Sequence, residues 1–311
     1  MESAQNLRRR IKSVQNIGQI TKAMELVAAT KMRRAQESAL TSRPYSYTAL
    51  ELLGILSDLK EVPLPEILRA RPVTKKLFLL MTSDKGLAGS FNSAVIRKFE
   101  QYVKEEHLDV QDPRYSFIAV GQKAKNYLER RKLPVVAAFT RVGDFMKPAE
   151  AEPIANFLIN GYTKHEFDGA VAFFTTFVTA LRQDAVAREF LPVNYEMIKR
   201  SIEDTIPRAG RYSNYAKAES FFETRERDYL IEPSPAEVLA ELAPTLLKTR
   251  IYHMILEANA SEHSARRVAM KNASENASDL SGNLNMEYNK SRQAAITREL
   301  IEVTSGAQAL N

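Results

Sequence analysis

No proline occurs in the 67 residues from Thr245 to Asn311, and only Gly282 and Gly306 supply glycine in the last 77. Proline and glycine are the strongest local helix breakers, so their near-absence over such a length predicts one very long helix. At about 1.5 Å per residue it would reach on the order of 100 Å, wider than an ordinary globular domain. The other end of the chain is similar, because Gly18 and Gly54 are the only glycines in the first 60 residues. Seven of the 11 glycines therefore fall in the middle. That distribution predicts a turn-rich domain between two helical ends.

The first segment, 2–59, carries apolar residues at Leu7, Ile11 and Val14, then at Ile17, Ile20, Met24 and Val27. Steps of three and four are helical spacing. The two sets slip by one position, so a strict heptad is not kept and any supercoil should be short or irregular. Pro44 predicts a kink or brief break. The pattern resumes through Leu50, Leu53, Leu56 and Leu59 and stops before Pro63. The last segment has a thin stripe of Leu242, Leu246, Ala273, Ala277, Leu280, Leu284, Ala294, Ala295 and Ile301, interrupted by asparagines such as Asn272 and Asn283. Small residues from Ala258 to Ala265 would let a second helix approach closely. Two such helices can pack on each other and still present polar faces to solvent or to a loosely fitting sleeve. The plainest alternative is an antiparallel helical hairpin with no special role.

Between about Val73 and Val193 the period changes. Lys76 to Thr82, Tyr115 to Val120, Leu133 to Phe139 and Ala170 to Val178 are short apolar runs that read as buried strands. Helical patterns alternate with them over Asn92 to Glu106, Gln122 to Lys132 and Pro148 to Gly161. Strand and helix in alternation predict a doubly wound α/β sheet. Lys199 to Arg227 is polar, charged and aperiodic, which predicts an exposed insertion.

With 44% apolar residues in 311, the chain can build a real core, and with no cysteine it excludes disulfides, thiolate metal sites and thiol nucleophiles. The apolar runs are far shorter than the roughly 20 residues of a bilayer-spanning helix. The segment from Thr82 to Asn92 follows the first strand and precedes a helix, the position of a phosphate loop. However, Gly86-x-x-Gly89 lacks a third glycine and there is no Gly-Lys-Ser/Thr, so a tight turn capped by Asp84, Ser90 or Asn92 is the preferred reading. His107, His165, His253 and His263 show no metal-ligand spacing and are expected at surfaces or interfaces. No triad surrounds Ser90. Neither catalytic, cofactor-binding nor metal-binding residues are therefore expected. Residues 1–43 hold nine Lys/Arg against three Glu, a net +6 equal to that of the whole chain. Such a helix suits an acidic partner, and the lack of aromatics before Tyr45 argues against nucleic acid.

Two stretches are specific enough to carry a resemblance. Arg8 to Gln36 (RRRIKSVQNIGQITKAMELVAATKMRRAQ) closely resembles the N-terminal helix of the γ subunit of F-type ATP synthases. Ala269 to Ala277 and Tyr288 to Ala307 are similar to that subunit's C-terminal helix, Ser83 to Asn92 to its central-domain turn, and Tyr229 to Pro233 to the approach to its final helix. The resemblance implies an antiparallel shaft of the two terminal helices inside a hexamer of α and β subunits, with the α/β domain outside near the membrane ring. It implies α, β, ε and the c-ring as partners, no nucleic acid, and membrane contact only through the ring. Met24, Lys31 and Arg33 are then candidates for contact with the acidic lower edge of β, and Arg292, Gln293, Thr297 and Glu299 for the upper sleeve. Asp84, Gly86, Gly89 and Asn92 would shape the central-domain turn. Ala88 stands where many members have cysteine. Photosynthetic relatives carry a regulatory insertion in the region of 199–227, in chloroplasts with a redox-active cysteine pair; thiol control is excluded here.

The fold class expected is α/β, with a long antiparallel coiled coil of the N- and C-terminal helices plus a central doubly wound domain. The segments would be 1–62 for the first shaft helix, 73–198 for the α/β domain, 199–227 for the link and 234–311 for the second shaft helix. The function expected is a rotor shaft driven by protons or sodium ions, without chemistry of its own. The alternative is a basic hairpin adaptor binding an acidic protein or nucleic acid. Arg8, Arg9, Arg10 and Lys12 have no apolar block behind them, so the start does not read as a secretory signal. The expected location is peripheral, on the cytoplasmic face of a bacterial inner or plasma membrane in preference to an organelle inner or thylakoid membrane.

Overall fold

The computed structural model describes residues 4–58, 62–143, 146–197, 199 and 230–308. Helix α1 (Ala4–Asp58) leads through a short 3-10 turn (Glu66–Leu68) into β1 (Lys76–Met81), α2 (Phe91–Glu105), β2 (Tyr115–Val120), α3 (Gln122–Arg130) and β3 (Val135–Phe139). Then follow α4 (Pro148–Thr163), β4 (Gly169–Phe177), β5 (Gln183–Leu191) and α5 (Pro235–Gln308). The 199–227 segment, apart from Lys199, lies outside the described residues. Helix α1 passes through Pro44 without a break. Around it the hydroxyls of Thr41, Ser42, Ser46 and Thr48 donate to carbonyls three or four residues back. Such back-bonding lets a helix bend enough to accommodate a proline ring.

The chain forms two compact units, 1–28 with 267–311, and 29–266. In the larger unit the five strands lie in the order β3-β2-β1-β4-β5, the first four parallel and β5 antiparallel to β4. Period-two alternation splits the central strands between two cores. Phe78, Leu80, Phe117 and Phe173 face α2 and α3, with Phe78 and Phe99 edge-to-face at 6.1 Å. Leu77, Leu79, Met81, Ile118 and Phe174 face the other way, against α4, the Ala49–Leu56 part of α1 and the Leu239–Leu256 part of α5. The inner parts of both long helices thus serve as cover for one face of the sheet.

Strand β5 was not legible in the sequence. It is an edge strand, half-buried along most of its length and carrying Asp184, Arg188 and Glu189, so it lacks the continuous apolar run of a buried strand. Helices α2, α3 and α4 end on His107, Lys132 and His165, each in the left-handed region with φ of 51°, 55° and 58°. The next residue in each case donates its N–H to a carbonyl five back, closing a Schellman turn. Histidine and lysine stand here where glycine is usual, and the charge of Lys132 suits the negative end of the α3 dipole.

Before β1, Arg71 donates from Nε to Asp168 Oδ1 at 2.8 Å, from Nη1 to Glu66 at 3.1 Å, and from Nη2 to the carbonyls of Tyr162 and Phe167. Its guanidinium stacks 4.2 Å over the Tyr162 ring. Asp168 Oδ2 also accepts the Thr74 hydroxyl at 2.6 Å and the N–H groups of Thr74 and Lys75. Burial alone would raise the Asp168 pKa, but the Thr74 hydroxyl, the two backbone N–H groups and Arg71 together hold it well below the usual carboxylate range. This cluster ties the entry of β1 to the entry of β4.

In the smaller unit, α1 and α5 run antiparallel. Leu7 and Ile11 pack on Leu284, with Val14 and Tyr288 beside them, and Ser274 donates to the Gly18 carbonyl at 3.4 Å. A Cβ on Gly18 would stand 3.4 Å from that of Ala277, an ordinary contact. Gly18→Ala should therefore be tolerated and gain up to about 1 kcal/mol from helix propensity, whereas Gly18→Leu should push the helices apart. Thermal melts of the two variants check this; equal stability would mean that the seam does not close at Gly18.

Candidate functional site

The turn after β1 occupies the place where the strand order reverses, the usual ligand crevice of an open α/β sheet. Its acceptors are already used. Asp84 Oδ1 accepts the N–H of Gln122 at 2.9 Å, Thr82 Oγ1 that of Ala124 at 2.7 Å, and the Ser83 carbonyl that of Lys123 at 3.2 Å. The N–H groups at the start of α3 that could hold a phosphate are thus capped by the turn itself. Asn92 Oδ1 accepts the Ser83 N–H at 2.9 Å and pins the turn to the first residues of α2. Ser90, the N-cap residue of α2, makes no side-chain cap bond. Asp84 therefore caps α3, the helix after β2, rather than the helix that follows its own turn. Gly89 supplies a positive φ of 56°, and the Gly86 carbonyl accepts Arg266 of α5 at 3.3 Å.

Helix α5 bonds to the end of β4 and to the residues after it. Ser261 Oγ donates to the Thr175 carbonyl at 3.1 Å and Ser264 Oγ to that of Ala180 at 2.7 Å. Small residues on α5 thus let the end of β4 approach the helix directly. The loop's position alone suggested a nucleotide-binding enzyme; its side chains are instead bonded to the starts of α2 and α3. His253 and His263 also depart from expectation, being buried at 1% and 2% exposure. His253 Nε2 pairs with the Ser42 hydroxyl at 2.7 Å, and His263 Nδ1 lies 3.2 Å from Arg266. No group of side chains among the described residues has the arrangement of a metal site.

What remains open is the surface of the smaller unit. The slip in the α1 pattern proves to be two stripes. Leu7, Ile11, Val14, Gly18, Thr21, Glu25 and Ala28 form the seam toward α5, while Ile17, Ile20 and Val27 are 51%, 59% and 54% exposed. At 100° per residue the second stripe lies roughly 110° around the helix from the first. Met24, half-buried, falls in that second stripe. On α5, Leu280, Ala294, Ala295 and Ile301, expected in the packed stripe, are also exposed. A helix that keeps a second apolar face in water is built to be covered by something else.

The pairing with α1 runs out near Tyr288, and from Arg292 to Ile301 every α5 residue is exposed. Arg292, Gln293, Thr297 and Glu299 fall within an arc of roughly 160°, together with Ile296, Leu300 and Val303. Polar hydrogen-bonding groups and aliphatic side chains thus share one face of a lone helix. The Thr297 hydroxyl donates back to the Gln293 carbonyl at 2.9 Å. In the larger unit Lys31 is half-buried and Arg33 is exposed, 4.0 Å from Glu37. The aliphatic half of this surface was missed in the sequence because a single stripe cannot be told from two by spacing alone.

Comparison with known proteins gives this architecture its place. A family model described as ATP synthase matches residues 3–310. The chain is similar to the ATP synthase gamma chain of Roseiflexus castenholzii, 37% identical over 317 residues, with 100% of this chain and 99% of that one covered. It is similar to the ATP synthase gamma chain of Pelotomaculum thermopropionicum at 37% identity, with both chains covered completely. Among solved structures it resembles a chain of the Euglena gracilis mitochondrial ATP synthase (OSCP/F1/c-ring, rotational state 3), with a TM-score of 0.62 at 18% identity over 99% of this chain and 94% of that one. That likeness carries the fold, and the whole-length sequence matches carry the kinship: two long helices with an exposed second face, joined through a mostly parallel five-stranded sheet, belong here to a member of the ATP synthase gamma chain family.

Proposed function

We infer that the chain is the central rotor shaft of an F-type ATP synthase, transmitting torque between the membrane ring and the α/β catalytic hexamer. The observation that carries this reading is the doubled apolar face of α1 together with the exposed Arg292–Ile301 stretch of α5, two surfaces that an isolated hairpin would not need. The shaft works by differential binding. Each orientation of an asymmetric surface favours different β conformations and so shifts their nucleotide affinities, while the chemistry stays with the partners. The whole-length kinship sets aside the adaptor reading.

The partners are the α and β subunits, ε and the c-ring. No described helix is long and apolar enough to cross a membrane, in keeping with membrane contact through the ring alone, and the location proposed is the cytoplasmic face of a bacterial membrane. Tagging the chain, releasing membranes gently and weighing what co-purifies tests the assignment. One copy with about three each of two nucleotide-binding subunits supports it; recovery of the chain alone, or with nucleic acid, overturns it.

The contact assignments have their own tests. Arg292→Ala with Gln293→Ala removes a charged and a neutral hydrogen-bonding group from the α5 tip, and ATP synthesis by the assembled complex should fall roughly tenfold. Lys31→Glu with Arg33→Glu should weaken coupling by a similar factor while the chain still folds. Wild-type synthesis in the first variant, or loss of folded protein in the second, removes the corresponding contact. The 199–227 segment is proposed as a brake on reverse hydrolysis that works without thiols; its deletion should raise ATP hydrolysis relative to synthesis, and an unchanged ratio removes the idea.

A further inference from the structure

Arg250, on the part of α5 that covers the sheet, is 4% exposed. Its Nη2 donates to the Glu189 carbonyl of β5 at 2.7 Å, while Nε and Nη1 are buried with no acceptor among the described residues. A guanidinium carries five N–H donors, and leaving a buried charge with one carbonyl costs far more than burying an apolar side chain of that size. Arg250 lines a cavity of about 300 Å³ together with Ala187, Arg188, Asn194 and Met197, and with Glu189 and Glu196, both solvent-exposed residues. Burial, with repulsion from Arg188, brings the Arg250 pKa down to about 10, so the side chain remains charged at neutral pH.

We propose that this cavity is an oxyanion subsite in which the guanidinium of Arg250, seconded by Arg188, takes a phosphate or a carboxylate group. The volume admits a phosphate ion with several waters, each needing about 30 Å³. Two orphaned N–H groups at its buried wall and a second cation nearby supply the attraction, against which the rim carboxylates of Glu189 and Glu196 act. Neither acidic residue of the rim already neutralises Arg250, since its bond to Glu189 goes to the backbone carbonyl. The subsite does not depend on the rotor assignment.

The test is thermal unfolding of the full chain in increasing sodium phosphate against sodium chloride of equal ionic strength, for the wild type and Arg250→Met. Phosphate strengthens most folded proteins by exclusion from their surface, so the difference between the two chains is the readout. In the wild type the midpoint should rise saturably by about 3 °C when phosphate reaches about tenfold its Kd. In Arg250→Met only the shallow, non-saturating slope should remain. Should that variant fail to fold, Arg188→Gln serves instead, with a several-fold rise in the phosphate concentration at half-effect. Sodium acetate in a parallel series separates the two sources: a rise as large as that with phosphate identifies a carboxylate of the kind a neighbouring subunit would insert. An equal rise in wild type and variants, or none in the wild type, overturns the site.

Discussion

Alanine at position 121 is expected to unfold the larger unit or bring it close to unfolding. Gly121 precedes α3 with φ of 91° and ψ of 146°, a conformation nearly closed to L-residues. A Cβ there would fall 2.0 Å from the Thr82 carbonyl oxygen and 2.7 Å from its carbon. That neighbour is backbone and cannot rotate aside. Thr82 is also fixed from both sides, through its N–H to the Val120 carbonyl at 2.8 Å and through its hydroxyl to the Ala124 N–H at 2.7 Å. Backbone strain and overpacking each cost about 1–3 kcal/mol, so roughly 3–5 kcal/mol of a domain's stability should be lost. Near-UV circular dichroism in urea reads this from the buried tyrosines of the unit. Gly86→Ala is the control, since nothing lies within 4 Å of a Cβ at that position. Equal midpoints for the two variants would show that the turn yields more easily than its geometry implies.

The second large effect is expected at Asp168. Its replacement by alanine leaves the half-buried Arg71 with Glu66 as its remaining carboxylate and removes the acceptor of three donors from Thr74 and Lys75. Breaking a buried, hydrogen-bonded pair from one side costs about 3–5 kcal/mol. The pH dependence gives an independent signature. Because the native pKa of Asp168 is depressed, its stabilisation is fully present above the unfolded value of about 3.9 and is lost as pH falls through the native value. The wild type should therefore lose stability in strong acid more steeply than Asp168→Ala. Parallel acid limbs for the two proteins would place the stabilisation elsewhere.

Strands β1, β2 and β4 were legible because they are largely buried and spell out their burial, as in KLFLLM and YSFIAV, whereas β3, at the other edge, alternates between half-buried and exposed residues. Strand β5 was hidden because an edge strand can afford polar residues. The ends of α2, α3 and α4 carried no glycine to mark them, since His107, Lys132 and His165 take the left-handed position instead. On α1 the apolar residues were visible, but their division into a packed seam and an open face was not. Spacing reports that a helix is amphipathic and leaves unsaid which of two faces is met by its own chain. The turn at 82–92 was found by position, yet what holds it lay in contacts far along the chain: Asp84 reaches Gln122, and Gly86 reaches Arg266. Arg250 gave no signal at all, because an arginine on a long helix is ordinarily a solvated residue.

The unaccompanied end of α5 has a consequence for how assembly can be watched. A helical stretch of about 15 residues without tertiary packing is marginal in water, so the amides from Arg292 onward should exchange with deuterium rapidly in the free chain. Covering that face would slow them by the free energy of the new contacts, while amides in the sheet keep their own slow rates. The tip of this helix would thus act as an internal clock of engagement, recording residue by residue how far the chain has entered its partners.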